Sequence, residues 1–257
     1  MRIYELSKQK NIRDLGGLVG HEGKTIKFGR LFRGGALNRV TEVDVEILNR
    51  LNITDFVDFR SKDEFTYQPD YYFANAKYHN FTTFEHEHKK EDIKHDDGNL
   101  LWFMNKGDTG FQHLSKTYKE LVDTEEGQAA YRNFFKVIMQ EGEPVTYFHC
   151  SQGKDRVGIA AYLVESALGV SEEEKIRDYL LSNVAMEKRR DVLIEHVKDR
   201  PFFNEQYKQD LLEVFSAKIE YLQEAIDIIN SKYDGVISYL ENVLNVDIKK
   251  LRDLYLE

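Results

Sequence analysis

Two side chains near the middle of the chain have the types and the spacing to handle a phosphate. Cys150 and Arg156 bracket Ser151, Gln152, Gly153, Lys154 and Asp155. Before them, Val145-Thr-Tyr-Phe148 is short and β-prone. After them, the apolar stretch Val157–Leu168 ends at Gly169, a helix C-cap signal. The order reads as strand, tight polar loop, helix. Backbone N–H groups of such a loop converge on an anion, and the start of the helix adds favourable potential. A thiol placed there, with a cation close by, is favoured as the thiolate, which is the attacking form. The Arg156 guanidinium presents a planar fork that matches two oxygens of a phosphate. A thiolate below phosphorus, with the amides of Ser151 to Lys154 around the equatorial oxygens, suits in-line phosphoryl transfer to sulfur.

The elements that must position this loop are legible from periodicity. Thr41-Glu-Val-Asp44 opens a helix with a capping-box pattern, and Val45, Leu48 and Leu51 give it an apolar face. Ile53–Arg60 reads as a buried strand. In α/β sheets ligands gather beyond the carboxyl ends of parallel strands. Asp58 and Arg60 therefore share a cleft with Cys150 if the two strands are parallel neighbours; otherwise they pair with each other or cap a helix. Lys77–Phe81 predicts a third strand. Tyr118, Leu121 and Val122, then Tyr131, Phe134, Phe135, Val137 and Ile138, repeat at helical spacing. They predict two helices, or one broken near Gly127, leading into the strand at Val145. Ser171-Glu-Glu-Glu174 starts another helix by a capping-box pattern, and helical periodicity continues through Leu211, Val214, Leu222 and Ile229. The glycine-spaced stretch from Asn11 to Gly29 predicts small strands and turns, with Arg13 and Asp14 fixing them.

Other features bound the reading. The chain has 257 residues, 41% hydrophobic and 12% aromatic, enough for a large core in one domain or a domain with an appendage. Three prolines and no Gly/Ser-rich tract leave no linker. A net charge of −9 argues against general nucleic-acid binding, so phosphate capture must rest on a local positive site. The single Cys excludes an intramolecular disulfide and fits a reducing compartment. No stretch approaches the roughly 20 apolar residues of a membrane span. Met1–Lys8 lacks a signal-peptide apolar core. A cytoplasmic location is expected, with signal-less export left open. His86, His88 and His95 lie in a charged run whose spacing matches no structural zinc pattern; a solvated surface is expected there. The apolar Leu100–Met104 that follows is a lid over the cleft or part of the core. Lys188, Arg189 and Arg190 form a small basic cluster, read as exposed helix charges, with contact to an anionic lipid or phosphoprotein as the alternative.

His149-Cys150-x5-Arg156 resembles the signature of the cysteine-dependent protein tyrosine phosphatases. The inner run Cys-x-x-Gly-Lys-Asp-Arg, with Lys154 and Asp155 inside the loop, is similar to the atypical bacterial tyrosine phosphatases. Those enzymes also act on phosphoserine, phosphothreonine and phosphoinositides. The Asp-Arg pair is also similar to myotubularin-type lipid phosphatases. Asn11-x-Arg13-Asp14-x-Gly16-Gly17, Leu31–Leu37 and Asp58-Phe-Arg-Ser61 with Glu64 and Pro69-Asp70 resemble the bacterial family too. So do Asp178–Asn183, Tyr233–Leu240 and Leu244–Ile248, so the resemblance covers most of the chain.

What this resemblance implies is an α/β fold, with a mostly parallel central sheet flanked by helices. Small N-terminal strands, a helical lid near 84–125 and a C-terminal helical region accompany it. The expected division is a catalytic domain over 1–200 and a helical extension over 201–257 packed on it. The implied reaction is phosphomonoester hydrolysis through a cysteinyl-phosphate. Implied substrates are phosphotyrosine proteins, phosphoserine or phosphothreonine proteins, or phosphoinositides. No metal or other cofactor is expected, because Arg156 and the loop amides supply the charge. Lys154 adds positive charge for a second phosphate, His149 orients the Cys loop, and Arg60 supports the site. Asp155 and Asp58 compete as general acid. Family members place Thr, Ser or Ala after the Arg; Val157 has no hydroxyl, which implies slow hydrolysis of the phospho-cysteine. Two other classes remain at this point: a non-catalytic phosphate-binding module, and a sulfur- or arsenic-handling cysteine enzyme.

Overall fold

Six strands make one mixed sheet in the computed structural model, which describes residues 2–7, 11–84, 100–101, 104 and 107–257. In chain order they are β1 Arg2–Tyr4, β2 Ile12–Asp14, β3 Leu31–Gly35, β4 Asp55–Asp58, β5 Lys77–Asn80 and β6 Thr146–Cys150. Their spatial order is β1-β2-β3-β6-β4-β5. The four strands β3, β6, β4 and β5 are parallel, and β1 and β2 extend the sheet antiparallel. The strand that ends in Cys150 is thus flanked on both sides by parallel neighbours. Gly35 pairs with Cys150 on one side and Asp58 with His149 on the other, so three strand ends converge at the loop.

Period-two alternation decides which face each side chain meets. Phe148 and Cys150 point into the larger hydrophobic cluster, whereas Tyr147 points into a smaller one with Ile12, Phe32, Leu48 and Phe56. Helices cover both faces. They are α1 Glu42–Asn49, α2 Lys62–Tyr67, α3 Gly110–Asp123, α4 Glu125–Ile138, α5 Asp155–Ala167 and α6 Glu172–Leu180. Then come α7 Ser182–Val197, α8 Glu205–Val214, α9 Ile219–Tyr233, α10 Val236–Ser238 with a π turn at Tyr239–Val243, and α11 Ile248–Tyr255. The helix α5 is nearly all buried, because it runs beneath the sheet and carries small residues, Gly158, Ala160 and Ala161, where neighbours approach. Thr41 caps α1 and Ser61 caps α2 through complete capping boxes. Ser171 caps α6 through Glu174 N–H.

The break between α3 and α4 falls at Thr124, whose hydroxyl accepts from Gly127 N–H. Gly127 itself is helical, and a Cβ there would lie 2.2 Å from the Leu121 carbonyl oxygen. Glycine thus marks a close approach of two helices rather than the break. The C-terminal helices share the larger cluster with Phe148 and Cys150 through Tyr221, Leu222, Ile229, Leu240, Leu251 and Tyr255. Ile26 bridges to Leu256, closing the last residues against the N-terminal turns. A third cluster joins Leu101 to Val197, Leu211, Val214 and Phe215 on α7 and α8. Of the expected lid, α3 packs on α8 and α9, and Leu100 N–H donates to the Tyr207 hydroxyl at 2.8 Å. The charged run with His86, His88 and His95, together with Trp102 and Phe103, lies outside the described residues. No described helix is long and apolar enough to cross a membrane.

Candidate active site

The loop between β6 and α5 is held from behind. Asn11 Nδ2 donates to the carbonyls of Gln152 and Gly153, each at 3.0 Å, and Arg33 NH2 donates to the Gly153 carbonyl at 3.1 Å. Asn11 immediately precedes β2 and Arg33 lies on β3, the strand that pairs with β6, and both are buried. Arg33 is in turn held by Asp178, which also takes the Nε of Arg13 at 2.5 Å. Gly153 permits this arrangement. Its φ is +71°, and a Cβ there would lie 2.3 Å from the carbonyl carbon and oxygen of Gly34. With the carbonyls tied back, the N–H groups of Ser151, Gln152, Gly153 and Lys154 donate to no protein acceptor among the described residues. Successive unpaired amides at a helix start, through a left-handed glycine, form an anion-binding concavity.

The buried charges behind the loop settle into a defined pattern. Burial pushes the Asp178 carboxyl up, but Arg13 and Arg33 outweigh it and bring the pKa down to about 2. Glu165, fully buried nearby, is driven well above the usual carboxylate range by burial and by the Asp178 charge. Two arginines, one carboxylate and one neutral acid thus leave a net positive charge beneath an anion site.

Cys150 is 3% exposed at the end of β6. The Arg156 guanidinium is 16% exposed and is gripped by Glu64: NH1 donates to Oε2 at 2.6 Å and NH2 to Oε1 at 2.9 Å. Ser151 joins them, donating to Glu64 Oε1 at 2.6 Å and accepting from Arg156 NH2 at 3.3 Å. Burial raises the Glu64 carboxyl, but the Arg156 charge, the guanidinium hydrogen bonds and the Ser151 hydroxyl hold it far below the usual range. Burial lowers Arg156, and Glu64 and Cys150 more than restore it. Glu64 is the site residue that spacing alone does not reveal. It is the N3 residue of the α2 capping box, and the same carboxylate serves the cap and the fork.

Asp155 is 24% exposed at the first position of α5. Its Oδ1 accepts from Lys154 Nζ at 2.6 Å and from the Tyr118 hydroxyl at 2.8 Å. The Lys154 side chain is fully buried, and its ammonium also donates to the Ser216 carbonyl at 3.1 Å. Asp58 behaves differently. It pairs with Arg60, taking Nε at 2.9 Å, NH2 at 2.7 Å and the backbone N–H at 2.9 Å. Burial raises its carboxyl, but His149 and Arg60 outweigh that and lower it. Arg60 also reaches Asp70 Oδ2 at 2.5 Å. Asp58 and Arg60 therefore both lie at the shared strand ends and pair with each other. His149 stacks on Tyr147 and faces Asp58 and Asp70, its Nε2 3.5 Å from Asp70. Alternation along β6 turns it away from the Cys150 face, and its ring makes no hydrogen bond to the loop among the described residues. Asp58, Asp70 and His149 converge closely enough to hold a metal, but the Arg60 guanidinium already supplies the cation there.

A mostly parallel α/β sheet flanked by helices, with a central strand that ends in a Cys-x5-Arg loop of free amides, is a phosphatase-like fold. The chain belongs to the tyrosine phosphatase family, whose pattern it matches over residues 4–257. It is 29% identical, over 96% of its length and 85% of the relative's, to a protein of Cupriavidus necator named for tyrosine-protein phosphatase activity. It is 24% identical, over the full length of both chains, to the triple specificity protein phosphatase of Mycobacterium tuberculosis. A tyrosine-protein phosphatase of Nostoc commune shares 26% identity over 58% of this chain and 47% of its own. The protein is a phosphatase of this family and a tyrosine phosphatase-like hydrolase.

Proposed function

We propose that the protein hydrolyses phosphotyrosine in proteins, and phosphoserine and phosphothreonine on the same loop, through a cysteinyl-phosphate at Cys150. The observation that carries this reading is the set of unpaired amides from Ser151 to Lys154, tied back by Asn11 and Arg33, between Cys150 and Arg156. In the first step the Cys150 sulfur forms a bond to phosphorus while the ester P–O bond breaks. A proton passes from Asp155 to the leaving oxygen. Water then attacks phosphorus, Asp155 takes the water's proton, and the S–P bond breaks to return the thiolate and release phosphate. The loop amides and Arg156 stabilise the charge on the transferring oxygens. Asp155 is favoured over Asp58 as the acid. The Arg60 guanidinium holds Asp58 ionised with several hydrogen bonds, whereas Asp155 keeps one carboxylate oxygen without a partner among the described residues.

Lys154 bears on the substrate class. Its ammonium is buried on Asp155 and Ser216, which gives no support to its binding a second phosphate of an inositol ring. The Mycobacterium relative is named for triple specificity, in keeping with a protein substrate of more than one phospho-residue. A reducing, cytoplasmic setting suits a lone nucleophilic thiol. The test is turnover of 4-nitrophenyl phosphate, phosphopeptides and phosphoinositides by wild type and Cys150→Ser, with mass detection of the phospho-enzyme. The phosphopeptides should be hydrolysed with a phosphate adduct on Cys150. Turnover that survives Cys150→Ser, or a preference for phosphoinositides over every phosphopeptide, overturns this function.

A further inference from the structure

We infer that Tyr118 and Tyr179 are positioning residues for the general acid: a directed chain of hydroxyls fixes the Asp155 carboxyl so that Oδ2 alone handles the proton. The inference rests on Asp155 being the acid. The Tyr118 hydroxyl is 2.8 Å from Asp155 Oδ1 and 2.7 Å from the Tyr179 hydroxyl. Both tyrosines are essentially buried, 0% and 1% exposed. A phenol has one proton to give. Tyr118 gives its proton to the carboxylate, so its oxygen must accept from Tyr179, and the chain runs Tyr179 to Tyr118 to Asp155. Burial, with the Asp155 charge next, raises both phenols, so both stay neutral donors throughout the working range.

The same oxygen of Asp155 also accepts from the Lys154 ammonium at 2.6 Å. Oδ1 therefore holds two donors, and Oδ2 has no partner among the described residues. A carboxyl pinned by one oxygen cannot turn about its terminal bond without breaking both contacts, so its proton sits on the other. The anchors come from distant parts of the chain. Tyr118 lies on α3, and Tyr179 on α6 packs against α5, where a Cβ at Gly158 would lie 3.0 Å from its ring. Lys154 is braced by the carbonyl of Ser216, just past α8. Elements remote in sequence thus converge on one carboxyl oxygen, which is what orienting a proton donor requires and what burying a tyrosine does not.

The experiment compares kcat/KM, which reports the steps up to formation of the phospho-cysteine, for wild type, Asp155→Asn, Tyr118→Phe, Tyr179→Phe and the double variant Tyr118→Phe/Asp155→Asn on aryl phosphates of graded leaving-group acidity. Tyr118→Phe should lower kcat/KM for poor leaving groups by roughly ten- to a hundred-fold, the worth of one hydrogen bond to a charged group, with kcat/KM for good leaving groups little changed. Tyr179→Phe, which keeps the Tyr118 contact but frees its hydroxyl to rotate, should show a smaller effect of the same kind. The double variant should lose no more than Asp155→Asn alone. Equal losses on every leaving group in a folded Tyr118→Phe enzyme, or additive losses in the double variant, overturn the positioning role while leaving Asp155 as the acid. An Asp155→Asn enzyme without leaving-group dependence overturns both.

Discussion

Glu64 does two jobs with one carboxylate, and they can be separated. Oε2 accepts from Ser61 N–H and Arg156 NH1, and Oε1 from Ser151 Oγ and Arg156 NH2. In Glu64→Gln either placement of the amide turns an NH2 toward a guanidinium N–H, so one arm of the fork is lost and donor faces donor. A hydrogen bond to a charged group contributes about 1.5–3 kcal/mol. Glu64 is 34% exposed, so the lower half of that range applies, about 2 kcal/mol after solvent screening. At 1.36 kcal/mol per decade this is about a 30-fold fall in kcat/KM. The loss should be constant over roughly pH 5–8, because Arg156 keeps Glu64 ionised well below that window. Ser61→Ala removes the hydroxyl that accepts from Glu64 N–H but leaves the fork, and should cost about 1 kcal/mol of stability with kcat/KM preserved. Steady-state kinetics and thermal melts of both variants decide the matter. If Glu64→Gln retains kcat/KM within a few-fold, or Ser61→Ala loses as much rate as Glu64→Gln, then Glu64 is only a helix cap.

Gly153→Ala should destabilise the fold by about 1–3 kcal/mol and abolish most activity, since a side chain there is strained at φ +71° and meets the Gly34 carbonyl; denaturant melts and 4-nitrophenyl phosphate turnover measure both. Glu165, whose pKa is raised in the folded state, contributes stability that is present below its ordinary value of 4.5 and lost as pH rises from there through its folded value, so Glu165→Gln should flatten that fall. Asp178, lowered to about 2, acts oppositely: its contribution is present above its ordinary value of 3.8 and is lost as pH falls toward 2, so Asp178→Asn should erase that part of the acid limb. Denaturant melts across pH read both, and an unchanged profile in either variant refutes the corresponding charge assignment. Val157, buried after Arg156, offers no hydroxyl to the departing sulfur; stopped-flow should show a burst of 4-nitrophenol, and Val157→Thr should shrink it. Absence of a burst in wild type refutes slow breakdown of the phospho-cysteine.

What the sequence made legible follows the range of the interactions involved. Strand, loop and helix around Cys150 are contiguous, so their order and the Cys150–Arg156 pairing could be read from local pattern. The strand ending at Asp58 was readable for the same reason, and a parallel partner was the condition on which its placement turned. The alternation of β6 was also present in the sequence, and it decides that His149 faces away from Cys150. That conclusion needs to know which face is covered by α5, which only packing supplies. The charges behind the loop are a different case. Asn11, Arg33 and Asp178 lie far apart in the chain and meet only because β2, β3 and α6 converge, and no spacing rule encodes that. Glu64 falls within a stretch that resembles the family, yet its partner Arg156 is 92 residues away. Its local signal, a Ser-x-x-Glu capping box beginning where a buried strand stops, announces a helix start and nothing more. The chemical meaning arises when that helix start is placed beside β6, because a carboxylate already fixed at N3 can grip the guanidinium without further loss of side-chain freedom. Rigid local caps at strand ends are therefore the places to search for partners of a phosphate-binding arginine, even when the sequence between them is long.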